Sequence, residues 1–328
     1  MINVWFNHWF STSYYFMESL KKFRSDIKII ASSENEDAVY KLIADDFYVE
    51  PAYNRDTYLD YCINFCKEHD IDVFFCRRCT DLFVGSKEFG KTKIICMDDL
   101  DLFSTLNSKF STAEWFKENI TSCVPEIYLC NTVDEFIAAY NTLSAKGEKV
   151  CIKLDKDEGG MSYKLIEDRP ANFGKISTNN GMVFSFDYTC NCLEEMTKPI
   201  VVMPYLSGKE LSIDCIGTKD GLVAVERTKT GRITTLNTMP SEALNIAQKF
   251  YNKTKMQVPF NIQFRYHNDK LYLLEVNTRL TGGSYQSREI GVDFVVIAFC
   301  NAMDIPYEVK DWQGKTIRIE KLEGYKLL

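Results

Sequence analysis

Apolar and polar positions along the first hundred residues alternate in short blocks, as they do in proteins built from layered helices and strands. Short apolar runs at residues 2–6, 27–31, 47–49, 73–76 and 93–96 read as strands. Helical patterns lie between them, at 13–23 and 57–69. The second places Tyr58, Tyr61, Cys62 and Phe65 on one face, at i, i+3, i+4 and i+7. The pattern predicts a small, mostly parallel sheet flanked by helices.

A helix is predicted over 108–118, following Leu106-Asn107. Another is marked by its ends. Thr132 and Glu135 make a capping box, Phe136, Ile137, Tyr140 and Leu143 form a stripe, and Gly147 terminates it. Beyond Gly147 strands dominate, at 150–154, 161–167, 199–205, 210–216, 222–227, 261–266 and 270–277, with helices at 241–253 and 291–303. There are no repeats, low-complexity tracts or long linkers. The expected fold class is an N-terminal α/β domain joined to a larger α+β part.

Composition sharpens this picture. A chain of 328 residues has room for two domains at roughly 150 residues each. Its 16 glycines are unevenly placed, with none before Gly85. A dinucleotide-binding N-terminal half would show G-x-G-x-x-G after its first strand, whereas that strand runs into Asn7-His8-Trp9-Phe10-Ser11. An N-terminal hydride-transfer domain is thereby disfavoured. The net charge of −7 argues against nucleic acid as a general partner. No apolar run approaches the ~18 residues of a membrane span, and no signal-peptide pattern opens the chain. A cytoplasmic protein is expected. The 12 cysteines lack a regular framework and read as thiols rather than disulfides. Cys76-Arg77-Arg78-Cys79 is a C-x-x-C whose basic neighbours would lower a thiol pKa. Without a second such pair it reads as ordinary thiols at a strand end, with a redox or metal role as the other reading.

Three segments carry candidate chemistry. Strand alternation puts Asn261, Gln263 and Arg265 on one face, and Glu275, Asn277 and Arg279 on one face of the next strand. A three-residue loop at 268–270 would set Gln263 opposite Glu275, with Phe264, Leu274 and Val276 pointing into a core. One carboxylate, two amides and a guanidinium on one surface suit magnesium beside a phosphate; a solvated sheet face is the plainer reading. In the second segment, Lys153 lies inside an apolar strand before Gly159-Gly160-Met161. Glycines let backbone N–H groups close over phosphate, while a snorkelling lysine and an ordinary hairpin turn would give the same sequence. The third segment is a buried strand that stops at Met203-Pro204-Tyr205-Leu206 and restarts at Glu210. Such a break leaves backbone groups that an adenine edge can use, and Glu210 follows at a distance suited to a ribose diol. Alone it is two strands and a connection.

Taken in order, these segments resemble the ATP-grasp superfamily, most closely the ATP-binding halves of carbamoyl-phosphate synthase and related carboxylate–amine ligases. The resemblance extends over most of the chain, and Gln-x-Phe…Leu-Glu-Val-Asn-x-Arg is its most specific part. It implies an ATP-grasp fold, with a pre-ATP-grasp α/β domain over 1–104 and an ATP-grasp domain over 105–328. The latter would comprise a lid at about 123–198, a metal-binding subdomain at about 199–306 and a tail at 307–328. It implies Lys109 and Lys153 as the ATP-phosphate lysines, and Gly159 and Gly160, with Met161 after them, as the loop over the β- and γ-phosphates. Pro204 and Leu206 would contact adenine through their backbone within the hinge Met203-Pro204-Tyr205-Leu206, with Glu210 on the ribose. Gln263, Glu275 and Asn277 match the metal ligands, for magnesium with manganese as the alternative ion. Arg279 matches the guanidinium on the transferring phosphate.

Three departures stand out. Met203 replaces a common acidic hinge residue, the glycine loop is short, and Thr278 replaces a proline. None removes a charged phosphate-binding or metal-binding group. Arg227, Lys229 and Arg232 follow the hinge strands and fit either a γ-phosphate or acceptor-carboxylate role, or a solvated strand end. The resemblance implies a ligase that activates a small carboxylate as an acyl phosphate for an amine or other nucleophile, with a homodimer compatible. A nucleotide-binding module without turnover, acting through a partner protein, is the alternative. Acceptor specificity is expected from Trp5, Asn7, His8, Trp9, residues 77–81 and residues 282–286.

Overall fold

The computed structural model describes residues 1–157, 160, 162–168, 182–320 and 322. Its first sheet is built from β1 (Ile2–Asn7), β2 (Ile27–Ser33), β3 (Asp46–Val49), β4 (Val73–Phe75), β5 (Glu88–Phe89) and β6 (Thr92–Ile95), in the order β3-β2-β1-β4-β6-β5. All neighbours are parallel except β5 with β6. Helices α1 (Ser13–Phe23) and α2 (Arg55–Glu68) connect strands of this sheet. A period of two sends Val4 and Phe6 into one core, with Phe16 and Ile29, and Trp5 into another, with Phe65 and Phe74. Both faces of β1 are therefore apolar, as a covered parallel sheet requires.

A short helix α3 (Leu100–Leu106) and α4 (Lys109–Asn119) lead to a second sheet. It comprises β7 (Tyr128–Cys130), β8 (Val150–Leu154), β9 (Lys164–Ile166), β10 (Val183–Phe184) and β11 (Ile200–Pro204), ordered β10-β9-β8-β11-β7. Helices α5 (Val133–Ala145) and α6 (Phe186–Leu193) cover it, with Phe136, Ala139, Leu143 and Leu193 in the core. The third sheet holds β12 (Glu210–Thr218), β13 (Gly221–Thr230), β14 (Ile233–Asn237), β15 (Phe260–His267), β16 (Lys270–Asn277) and β17 (Thr316–Glu320), ordered β16-β15-β12-β13-β14-β17. Helices α7 (Glu242–Thr254) and α8 (Phe294–Ala302) complete the chain.

Two compact units result. The larger contains Met1–Ser104, Leu211–Gln263 and Val276–Leu328; the smaller contains Thr105–Glu210 and Phe264–Glu275. No described helix is long and apolar enough to cross a membrane.

The helix α5 cap works as its sequence suggests, with one difference. Thr132 Oγ1 accepts the Glu135 N–H at 3.2 Å, but the Glu135 carboxylate reaches back to the N–H of Asn131, at 2.5 Å. The hairpin of β15 and β16 departs further from expectation. Lys270 already belongs to β16, so the loop is the two-residue Asn268-Asp269, both left-handed at φ 48° and 60°. Asn and Asp tolerate that conformation, which two-residue hairpins favour. The three-residue spacing argument for Gln263 opposite Glu275 falls with it. Leu271, Leu273 and Val276 are the buried residues of β16, while Leu274 is only half-buried. The apolar pattern does not predict β5, β7, β10, β14, β17, α3 or α6.

Candidate active site

In the smaller unit the site is organised by Asp155, just past β8. Its buried carboxylate accepts the Ser108 hydroxyl at 2.9 Å and the Phe110 N–H at 3.0 Å, while its backbone oxygen accepts the Lys109 N–H at 3.2 Å. An anionic group at the start of α4 satisfies amides that no helical carbonyl reaches. Lys109, the first residue of that helix, is thereby held 8% exposed, with Nζ donating to Asp157 O at 2.8 Å and Asp155 O at 3.4 Å. Burial holds its ammonium below the ordinary lysine range. Glu275 opposes that shift, Lys153 adds to it, and Asp157 and Asp155 oppose it. Lys109, Lys153 and Glu275 thus share one electrostatic neighbourhood, although 166 positions separate the first from the last.

The turn after β8 is tied by side chains. Ser162 Oγ accepts the Leu154 N–H at 2.9 Å, and Asp157 accepts the Ser162 N–H at 3.0 Å. Gly160 takes φ 65°, and a β-carbon there would meet nothing within 4 Å. Gly159 and Met161 lie outside the described residues.

The hinge begins inside β11, so the strand break expected at Met203-Pro204 does not occur there. Met203 pairs with Cys151 and Pro204 with Val150 across β8, and the Tyr205 N–H donates to Lys149 O at 2.6 Å. Buried Met203, Leu206 and Cys151 form an apolar cluster ringed by Tyr163, Tyr205, Tyr272 and Leu274. Arg265 ties this segment down. Its guanidinium donates to Glu210 Oε2 at 2.6 Å and to Leu206 O at 3.4 Å. Glu210, free to meet a ribose in the sequence reading, is here paired with a cation. The Gly208 N–H donates to Tyr266 O at 2.8 Å.

In the larger unit Arg227 is held by a partner that periodicity did not single out. Asp214, 2% exposed, accepts from Arg227 Nε at 3.0 Å, Asn261 Nδ2 at 2.8 Å and Thr281 Oγ1 at 3.1 Å. A β-carbon at Gly283 would lie 2.5 Å from the Arg227 guanidinium, so that glycine makes room for it. Lys229 and Arg232 are exposed at the strand end. Gln263 and Asn277 sit half-buried on β15 and β16, and Arg279 follows with Nη1 donating to Leu280 O at 3.3 Å.

Two of the expected specificity residues belong to the core instead. Trp5 is wholly buried and its indole N–H donates to Ser32 Oγ at 2.9 Å; Trp9 is 6% exposed and donates to Phe75 O at 2.8 Å. Apolar rings whose single donor is satisfied inside are packing residues.

Residues 196–325 match the family model described as ATP-grasp in the biosynthetic pathway with Ter operon. The chain has the ATP-grasp fold, as the solved structures it resembles show. Staphylococcus aureus N5-carboxyaminoimidazole synthetase complexed with ADP is 15% identical, with a TM-score of 0.61 over 88% of this chain and 73% of that one. An ADP complex of N5-carboxyaminoimidazole ribonucleotide synthetase is 12% identical, with a TM-score of 0.64 over 92% and 77%. The biotin carboxylase domain dimer of Hydrogenobacter thermophilus 2-oxoglutarate carboxylase, in complex with MgADP, ADP and bicarbonate, is 14% identical, with a TM-score of 0.64 over 95% and 71%. No curated protein matches the sequence.

Proposed function

We propose that this protein is an ATP- and magnesium-dependent ligase that activates a small carboxylate as an acyl phosphate for attack by an amine or another nucleophile. The observation that carries the reading is the shared electrostatic neighbourhood of Lys109, Lys153 and Glu275, on a fold whose solved relatives include ADP complexes. Two ammonium groups suit the phosphates of a nucleotide. The Met203–Leu206 segment beside its apolar and tyrosine cluster suits the adenine ring, and Glu210 the ribose.

Magnesium fits the residues only together with the nucleotide. Among the described residues no three His, Cys, Asp or Glu side chains gather as a metal cluster. Gln263, Glu275 and Asn277 offer one carboxylate and two amides, and magnesium characteristically takes few carboxylates plus substrate phosphates. When bound, the ion supplies charge neutralisation at the phosphates. Lys109 and Lys153 position the phosphate chain. Arg279 stabilises charge developing on the transferring group, and Arg227, steadied by Asp214, orients the γ-phosphate or the acceptor carboxylate. Gly159, Gly160 and Met161 are assigned to the loop over the phosphates.

An ADP-release screen over carboxylates and amines, with mass spectrometry of the products, tests the reading. Glu275→Ala is expected to lose ADP formation by at least 100-fold, on the order of one removed electrostatic group at a transition state, while remaining folded by circular dichroism. Wild-type turnover in that variant would remove the metal assignment. Nucleotide binding with no ADP release for any acceptor would remove the ligase.

A further inference from the structure

Polar and strained residues gather at a second place, the carboxyl ends of the parallel strands in the first sheet. The order β3-β2-β1-β4 means that the chain leaves β1 toward β2 and β3, then returns to the opposite side of β1 for β4. Such a switch point leaves a crevice outside the strand ends in which open α/β sheets bind ligands. Asn7 ends β1 and His8 follows it. Ser32 and Ser33 end β2 before Glu34, Glu50 follows β3, and Arg77 and Arg78 stand just past β4.

The floor of this place is a hydrogen-bonded network. The Glu50 side chain is wholly buried, and it accepts from the Ser32 hydroxyl at 2.7 Å and the Tyr58 hydroxyl at 3.0 Å. Asn7, also wholly buried, donates to Tyr58 OH at 3.0 Å and accepts the Arg77 N–H at 2.7 Å. A buried carboxylate costs several kcal/mol to desolvate, and an apolar group would serve the sheet at least as well. Its use here is to hold Arg78. That guanidinium lies 3.5 Å from Glu50 and 2.7 Å from Glu34, over the rings of Tyr53 and Tyr58 at 5.2 and 5.8 Å.

The backbone is strained on both sides of the crevice. His8 has φ 42° and Cys79 φ 53°, left-handed conformations that non-glycine residues adopt at a cost. His8 Nδ1 accepts the Glu34 N–H at 3.4 Å and lies 3.2 Å from Ser33 Oγ; with Nδ1 as acceptor, the ring proton sits on Nε2. Burial and then the Arg78 charge keep the imidazole below its ordinary value, against Glu34, so it stays a neutral donor. The thiols of the C-x-x-C motif are otherwise occupied. Cys76 Sγ, in the core, donates to Ile95 O at 3.4 Å, and Cys79 Sγ meets Tyr53 OH at 2.7 Å. The chemistry of that motif is therefore in Arg77 and Arg78.

With no glycine among the first 84 residues, the turns after β1 and β2 lack the glycine-rich form that closes over a diphosphate. We infer that this crevice binds a small non-nucleotide anion, a carboxylate or a phosphate monoester, held by Arg77 and Arg78 with His8 Nε2 donating beside them. The entering anion displaces Glu34, the more exposed of the two carboxylates on Arg78. If the ligase reading holds, the bound anion is the acid or acceptor substrate; the binding inference itself does not rest on that reading.

Titration of the full chain, without nucleotide, with inorganic phosphate and separately with succinate tests it, read by calorimetry and by intrinsic tryptophan fluorescence. Saturable binding of at least one is expected. Phosphate alone would identify a phosphate ligand and succinate alone a carboxylate. Arg78→Gln should weaken binding at least tenfold, Glu34→Gln should tighten it by removing the competitor, and His8→Asn, which keeps the left-handed backbone, should weaken it several-fold. ADP affinity should be unchanged in all three. Absence of binding by both anions, or wild-type binding in Arg78→Gln, overturns the inference. If Arg78→Gln does not fold, the opposite signs expected for Arg77→Gln and Glu34→Gln decide. A chain that fails to bind ADP but binds these anions would refute the ligase and leave this site standing.

Discussion

A β-carbon at Gly208 would lie 2.5 Å from the Tyr266 carbonyl oxygen, a contact that real side chains do not make. The obstacle is backbone on a paired strand, so it cannot swing aside. Gly208→Ala must part the hinge from β15 and disturb the Arg265 bonds to Leu206 and Glu210. We expect destabilisation on the order of 1–3 kcal/mol together with weaker nucleotide binding, measured by ADP titration and chemical denaturation. Unchanged ADP affinity would show that the hinge does not carry adenine. Gly283 meets a different obstacle, a guanidinium, but Asp214 pins that group in place. In both cases the glycine is present for close approach, not for its backbone angle. Sequence inspection notices the glycine and cannot name what approaches it.

At the scale of elements, a helix start is legible where a cap marks it, because a cap acts over three residues. Ser108 accepts the Ser111 N–H at 3.0 Å and Ser241 the Leu244 N–H at 3.2 Å, each one residue before its helix. Thr132→Ala removes the equivalent bond from α5 and should cost about 1 kcal/mol. Hydrogen exchange of the α5 amides would then quicken roughly fivefold. No change there would mean that the Glu135–Asn131 bond alone holds the helix start. The start of α4 is different. Its second anchor, Asp155, comes from 45 positions further on, and no pattern near Ser108 announces it. The elements that left little trace are short or exposed ones: β10 is too brief to show a period, and β17 alternates Ile317 and Ile319 with polar residues but buries neither fully.

At the scale of the whole molecule, the buried acid Glu50 carries a pH signature. Burial raises the Glu50 carboxyl above its ordinary value and Glu34 adds to this, while Ser32, Arg78 and Tyr58 oppose it. Between the ordinary and the raised value the folded chain holds a proton that the unfolded chain has released. Stability therefore falls as pH rises through that window and levels off above it. Glu50→Gln should flatten that slope, as measured by unfolding midpoints across the acid range up to neutrality. A slope unchanged by the substitution would mean that Glu50 titrates as an ordinary carboxyl.

Read by itself, the chain determined its strands and helices wherever a period of two or 3.6 ran long enough, and it determined which charged residues were available for chemistry. It also excluded a glycine-rich nucleotide turn after β1. Only the tertiary structure decided which of those residues meet. Arg227 finds Asp214 and Gly283, Arg265 finds Glu210, and Arg78 finds Glu34 and Glu50. The physical reason is range. Backbone hydrogen bonding and amphipathic burial repeat over a few residues and so are written locally. A partner 55 positions away, as Glu210 is from Arg265, is selected by sheet order and packing, to which every residue of the core contributes.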